Sequence, residues 1–222
     1  MDFFMYRKGL KRNRFFIFMI SLSLILFIPL FVIREIDGFD FWWWMSSNLV
    51  FLVLLGYTFD RSFQKELNHD LRSKIIKKTG AGILSAAVLY GIFYVGNVLV
   101  RYLFDFAGED ISNVYGFKGQ AEEIRIGLLM LFIIGPGEEL LWRGYIQGTF
   151  SAALGKYKGY ILGVILYTLI HVATGNLILI AAALVGGLFW GWMYMKYNSL
   201  LMNMVSHIAW DIVIFLVFPL NG

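Results

Sequence analysis

The chain has 222 residues and a formal net charge of +4, with 59% hydrophobic and 18% aromatic residues but only 15% charged ones. A soluble domain carries about 25% charged residues, so the composition excludes an ordinary soluble fold. It contains no cysteine, which excludes disulfides, thiolate metal sites and a cysteine nucleophile together.

Apolar runs of about 18 residues or more read as membrane spans. Seven are expected, at roughly 15–33, 41–59, 80–104, 125–150, 159–173, 176–195 and 200–218. They leave no room for a separate soluble domain. Helices are expected because lipid leaves backbone groups unsatisfied in anything except helices or closed barrels, and continuous apolar runs are not the alternating pattern of a barrel. The expectation is an all-α, polytopic transmembrane bundle. It forms a single membrane domain over 1–222, with amino-terminal spans one to three in 1–124 and a carboxyl-terminal core of four spans in 125–218.

The first run follows a basic stretch (Arg7, Lys8, Lys11, Arg12, Arg14). It is longer than a signal-peptide core and lacks a small-residue cleavage site, so it reads as a retained span. Trp42, Trp43 and Trp44 open the second run as an interfacial belt. The next connection holds Arg61, Lys65, Arg72, Lys74, Lys77 and Lys78 and reads as an amphipathic helix resting on anionic lipid, with His69 as a solvated loop histidine. In the third run, Asn97 and Arg101 form a polar pair whose arginine is expected to snorkel to the interface.

Lys156 and Lys158 follow the fourth run and Lys196 the sixth, whereas the alternate connections contain Asp37, Asp40, Glu109, Asp110, Glu122 and Glu123. This alternation is the positive-inside pattern, with the amino terminus cytoplasmic and the carboxyl terminus external. The basic charge is therefore topological, and a nucleic-acid partner is not expected. Membrane lipid is. Gly159-x-x-x-Gly163 and Gly187-x-x-x-Gly191 let helices approach closely. No internal repeat supports an inverted-repeat carrier.

Against this apolar background the fourth run reads Gly135-Pro136-Gly137-Glu138-Glu139-Leu140-Leu141-Trp142-Arg143. An ionisable side chain at membrane depth costs roughly 2.5–3.5 kcal/mol on insertion scales. Arg143 lies one turn beyond Glu139, so the two are expected to form an intrahelical ion pair. Glu138 lies about 100° round the helix and needs a partner elsewhere. Pro136 between two glycines is expected to kink or break the span. Tyr167 and His171 share a face of the fifth run, and His207 and Asp211 a face of the seventh.

Helices four, five and seven can thus converge Glu138, His171, His207 and Asp211 in one pocket, expected to open to the cytoplasm. A carboxylate and an imidazole can activate water, and a second imidazole can hydrogen-bond an oxyanion. The same four side chains can instead bind a divalent metal such as zinc. Either version hydrolyses a bond inside the membrane. The competing classes are a scaffold whose histidines only join helices and an ion or proton carrier.

Glu138-Glu139-x-x-x-Arg143, His171, and His207-x-x-x-Asp211 resemble, in order and spacing, the motifs of the CAAX protease and bacteriocin-processing (CPBP/Abi) family. These are intramembrane endopeptidases that include the type II prenyl-protein protease. The resemblance covers residues 138–211. It implies hydrolysis of a membrane-associated peptide or protein of prenylated or leader type, or retention of the fold as a non-catalytic scaffold or bacteriocin-immunity factor. It implies Glu138 as the water-activating carboxylate with His171 its partner, and Glu139 and Arg143 as structural. His207 and the residue four later would face the oxyanion. Tyr167 replaces the family's phenylalanine, and Asp211 replaces the asparagine of the prenyl-protein proteases. An ionised carboxylate cannot donate to an oxyanion, so Asp211 must be protonated, orient His207 or bind metal. The implied setting is a bacterial cytoplasmic membrane. No H-E-x-x-H, G-x-S-x-G or G-x-G-D signature of other intramembrane proteases is present.

Overall fold

A computed structural model describes residues 10–220, with side chains described from residue 14. Arg7, Lys8 and the side chains of Lys11 and Arg12 lie outside the described residues, as do residues 221–222. The described part is almost wholly helical. Helices α1 (Leu10–Ile33), α2 (Phe41–Phe59), α3 (Arg61–Asp70), α4 (Ile75–Leu103) and α5 (Ala107–Gly116) precede a continuous helical run over 123–154. That run comprises α6 (Glu123–Leu129), α7 (Gly135–Glu138) and α8 (Gly148–Leu154), joined by π-helical stretches at Met130–Ile134 and Glu139–Gln147. Helices α9 (Lys156–His171), α10 (Leu177–Tyr197) and α11 (Leu200–Asp211) complete the fold, and α11 continues into a π turn at Ile212–Val217.

Among the described residues, five helical stretches are long and apolar enough to cross a membrane: 14–33, 75–103, 156–174, 177–197 and 200–217. The protein is an integral membrane protein on this ground. The other two expected spans fall short for physical reasons. Three tryptophans, Ser46, Ser47 and Asn48 dilute α2, and the 123–154 run holds Glu138, Glu139 and Arg143 with its helical winding altered twice.

Pro136 does not break that run. The amide of Gly135 donates to Met130 five residues back, so the widened turn accommodates a proline ring that would clash with a carbonyl in a regular α-helix. No new helix amino terminus points at Glu138.

The central run packs against α2, α9, α10 and α11, and Phe15, Phe16 and Phe27 of α1 meet its Tyr145, Phe150 and Trp142 rings. Small residues set these distances. A Cβ on Gly159 would meet Ser151, one on Gly163 would meet Gln147, and one on Gly187 would meet Tyr167. The two Gly-x-x-x-Gly pairs thus dock α9 on the central run and α10 on α9. Gly82 does the same for α4, where a Cβ would meet the Met202 carbonyl. The other faces of α4 expose Leu84, Val88, Val95 and Leu99, a lipid-facing surface in a bilayer.

Three local expectations change. In α3, Phe63, Glu66, Leu67 and Asp70 are buried against the protein rather than resting on lipid, while His69 is exposed. Trp42 is buried and donates from Nε1 to the Phe117 carbonyl at 2.9 Å, whereas Trp43 is exposed beneath the Arg125 guanidinium. Successive tryptophans on a helix diverge by about 100°, so one triplet serves both core and interface. Arg101 does not reach for solvent alone: its Nε donates to Asn97 and its Nη2 to the Leu220 carbonyl.

Candidate active site

A cavity of about 400 Å³ lies among α1, α2, α4, α5, α7, α9, α10 and α11. Its walls are mostly apolar, with Glu138, His171, His207 and Asp211 among the lining side chains. Glu139 and Arg143 do not line it; they lie behind its floor.

The two adjacent glutamates have separate environments because one residue step turns the helix about 100°. Glu139 is fully buried and accepts three contacts. Arg143 Nη1 lies 3.1 Å from Oε1, His207 Nδ1 donates to the same oxygen at 2.7 Å, and Asn203 Nδ2 donates to Oε2 at 2.9 Å. Asn203 also donates to the Trp190 carbonyl, and Arg143 Nη2 to that of Gly186. The guanidinium lies over the Tyr167 ring at 4.4 Å. A buried charge is tolerable only with such compensation. Together these contacts tie α10 and α11 to the central run.

Glu138 stands outside that network. Tyr167, one helix away on α9, donates its hydroxyl to Glu138 Oε2 at 2.7 Å. His171 lies one turn further along α9. Its Nδ1 is 2.7 Å from the Tyr167 carbonyl, which can only accept, so Nδ1 carries a proton. The neutral ring then presents an unprotonated Nε2. Tyr167 and Phe31 hold the ring, with centroids at 4.7 and 4.9 Å. Glu138 and His171 share the cavity, and no hydrogen bond between them is present among the described residues.

His207 is committed at one edge. With Nδ1 on Glu139, its Nε2 lies 3.6 Å from Asp211 Oδ1. The ring stacks on Trp190 with centroids 3.8 Å apart and planes 19° from parallel. Trp190 is fixed in turn by Nε1 donating to Ser206 Oγ, to which Ser85 of α4 also donates.

No three His, Asp or Glu side chains among the described residues form a metal-ligand cluster. Glu138 is engaged by Tyr167, and His207 spends Nδ1 on Glu139. As arranged, Glu138, His171, His207 and Asp211 do not fit a metal centre.

Three contributors escape a reading of spacing alone. Tyr167 is one turn before His171, and its hydroxyl was the available signal for a partner to Glu138. Asn203 lies one turn before His207 and two before Asp211, a polar stripe visible in the sequence. Trp190 offers no such signal, because its stacking on His207 is a tertiary relationship. Chemically, the site presents a carboxylate with one oxygen fixed, an imidazole with an open nitrogen and a second imidazole aligned by two carboxylates, all in an apolar chamber. No curated protein and no solved structure matches the chain. Residues 120–213, which hold Glu138, Glu139, Arg143, Tyr167, His171, Asn203, His207 and Asp211, match the Rce1-like family model, described as type II CAAX prenyl endopeptidase Rce1-like.

Proposed function

We propose that the protein is an intramembrane endopeptidase that hydrolyses a peptide bond of a membrane-associated substrate through a water activated by Glu138. The observation that carries this reading is the separation of the two glutamates. Glu139 is saturated by Arg143, His207 and Asn203, while Glu138 faces the cavity with only Oε2 taken by Tyr167.

In this mechanism Glu138 Oε1 takes a proton from water, and the hydroxide oxygen attacks the substrate carbonyl carbon. The electron pair of the carbonyl moves to its oxygen. His207 Nε2, when protonated, donates to that oxyanion, with Asp211 beside it as counter-charge. Collapse breaks the C–N bond, and the proton held by Glu138 passes to the leaving nitrogen. His171, with an open Nε2 in the same cavity, orients the water or relays that proton. Asp211 acts through His207, which its 3.6 Å separation from Nε2 supports better than direct donation to the oxyanion.

The chain is read with seven crossings, adding α2 and the 123–154 run to the five apolar helices. Glu138, His171 and His207 then sit on spans four, five and seven. The Lys/Arg distribution supports a cytoplasmic amino terminus. The test compares wild type with Glu138→Gln on peptides anchored by one apolar segment in liposomes without an ion gradient. Cleavage by wild type alone supports the proposal; no cleavage here, with ion flux once a gradient is imposed on the same liposomes, supports a carrier instead.

A further inference from the structure

We infer that a groove on the lipid-facing surface of the bundle binds one anionic phospholipid, with its phosphate at Lys196 and one acyl chain against the outer side of the cavity wall. Such a lipid serves the folded bundle whatever reaction the cavity carries out.

The groove lies between α4, α9 and α10 and has a volume of about 310 Å³. Ile92, Tyr160, Val185, Leu188, Phe189 and Trp192 line it, and the Tyr160 hydroxyl already donates to the Leu188 carbonyl at 3.2 Å. The spacing of Val185, Leu188, Phe189 and Trp192 puts them on one stripe of α10. Lys196 continues that stripe one turn later. From Val185 to Lys196 the helix rises about 16 Å, close to half of the roughly 30 Å hydrocarbon core. That depth suits one acyl chain in one leaflet. Both α9 and α10 belong to stretches able to cross a membrane. A Cβ on Gly191 would meet the Tyr160 ring, so the start of α9 lies beside the end of α10.

Charge selects the headgroup. That end of the two helices carries Lys156, Lys158 and Lys196, and the chain holds no Asp or Glu between Glu139 and Asp211. Among the described residues, Lys156 and Lys196 pair with no carboxylate. Lys156 Nζ lies 5.1 Å from the centre of the Tyr157 ring, and Lys196 Nζ lies 4.6 and 5.1 Å from those of Trp192 and Tyr197. The buried carboxylates of α3 are spent elsewhere: Glu66 accepts from Tyr194, and Asp70 from Lys78 and the Leu201 amide. Ring contacts hold the Lys196 ammonium without using its three N–H donors. A lipid phosphate supplies the missing negative charge, and Trp192 and Tyr197 suit the headgroup level.

The far end of the groove meets the site. Ile92 and Val185 line both the groove and the cavity that holds Glu138, so they stand between the two spaces. Beyond Leu89, α4 has no buried residue, and protein does not back this part of the wall. An acyl chain in the groove does.

The test is native mass spectrometry of the purified full chain in detergent, with dioleoyl phosphatidylglycerol or dioleoyl phosphatidylcholine added. One phosphatidylglycerol should bind saturably, roughly fivefold or more tightly than phosphatidylcholine, and should raise the melting temperature. Lys196→Gln should weaken that binding roughly fivefold and cancel the thermal shift. Lys77→Gln, an equal charge change at an exposed position of α4, should leave both unchanged. Leu188→Trp fills the groove while keeping every lysine, and should also weaken binding. Equal affinity of wild type for the two lipids, or equal loss in Lys196→Gln and Lys77→Gln, overturns the inference. So does undiminished binding by Leu188→Trp, which would place the lipid outside the groove, or a dimer whose formation excludes the lipid.

Discussion

The Tyr167 hydroxyl donates to Glu138 Oε2 at 2.7 Å, and the same residue's backbone carbonyl receives His171 Nδ1 at 2.7 Å. One residue of α9 therefore orients both groups proposed to handle the water. A hydrogen bond to a charged acceptor contributes about 1.5–3 kcal/mol.

Tyr167→Phe removes the side-chain bond and keeps the carbonyl. Cleavage should slow roughly tenfold or more, the equivalent of at least about 1.4 kcal/mol, with helix content and elution from detergent columns unchanged. The family pattern has phenylalanine at this position, so activity should fall without disappearing. An unchanged rate constant in single-turnover assays would remove Tyr167 from the site.

The two glutamates should separate cleanly on substitution. Glu138→Ala abolishes cleavage in a folded protein. Glu139→Ala or Arg143→Ala leaves a buried partner charge and costs about 3–5 kcal/mol, read as earlier unfolding in a denaturant titration. A stable, fully active Glu139→Ala beside a stable, inactive Arg143→Ala would reverse the assignment.

Asn203→Leu deletes both donations from Nδ2, to Glu139 and to the Trp190 carbonyl. Glu139 Oε2, left buried without its partner, costs about 1–3 kcal/mol. Melting should shift downward more than for Ser112→Ala, a change at an exposed position of α5. Equal melting of the two variants would show that Asn203 does not hold α11 to the central run.

Helical spacing suffices to place Arg143 beside Glu139 and to turn Glu138 away, because both follow from local geometry. The apolar runs likewise disclose the long helices. What spacing cannot disclose is which distant helix supplies a partner: Tyr167 for Glu138, His207 and Asn203 for Glu139, and Trp190 under His207 are all tertiary. The π stretches around Pro136 also escape, since proline and glycine suggest a break unless the turn can widen. Composition marks α3 as basic and amphipathic, yet its apolar face meets protein, because a moment does not say what covers it.

Asp211 bears on the role of metal. Asp211→Asn keeps a polar partner beside His207 Nε2, and the proposed mechanism assigns Asp211 no ligand role. Activity should survive both this substitution and a strong chelator, within about tenfold, a change worth about 1.4 kcal/mol. Loss in chelator restored by zinc, together with an inactive Asp211→Asn, would favour a metal centre assembled on substrate binding.

The most direct measurement of the central claim is single-turnover cleavage of an anchored peptide in water labelled with heavy oxygen, read by mass spectrometry. Direct attack by a Glu138-activated water predicts one labelled oxygen in the new carboxyl terminus from wild type and no product from Glu138→Gln. Equal cleavage by Glu138→Gln, or an unlabelled carboxyl terminus in the first turnover, would contradict it.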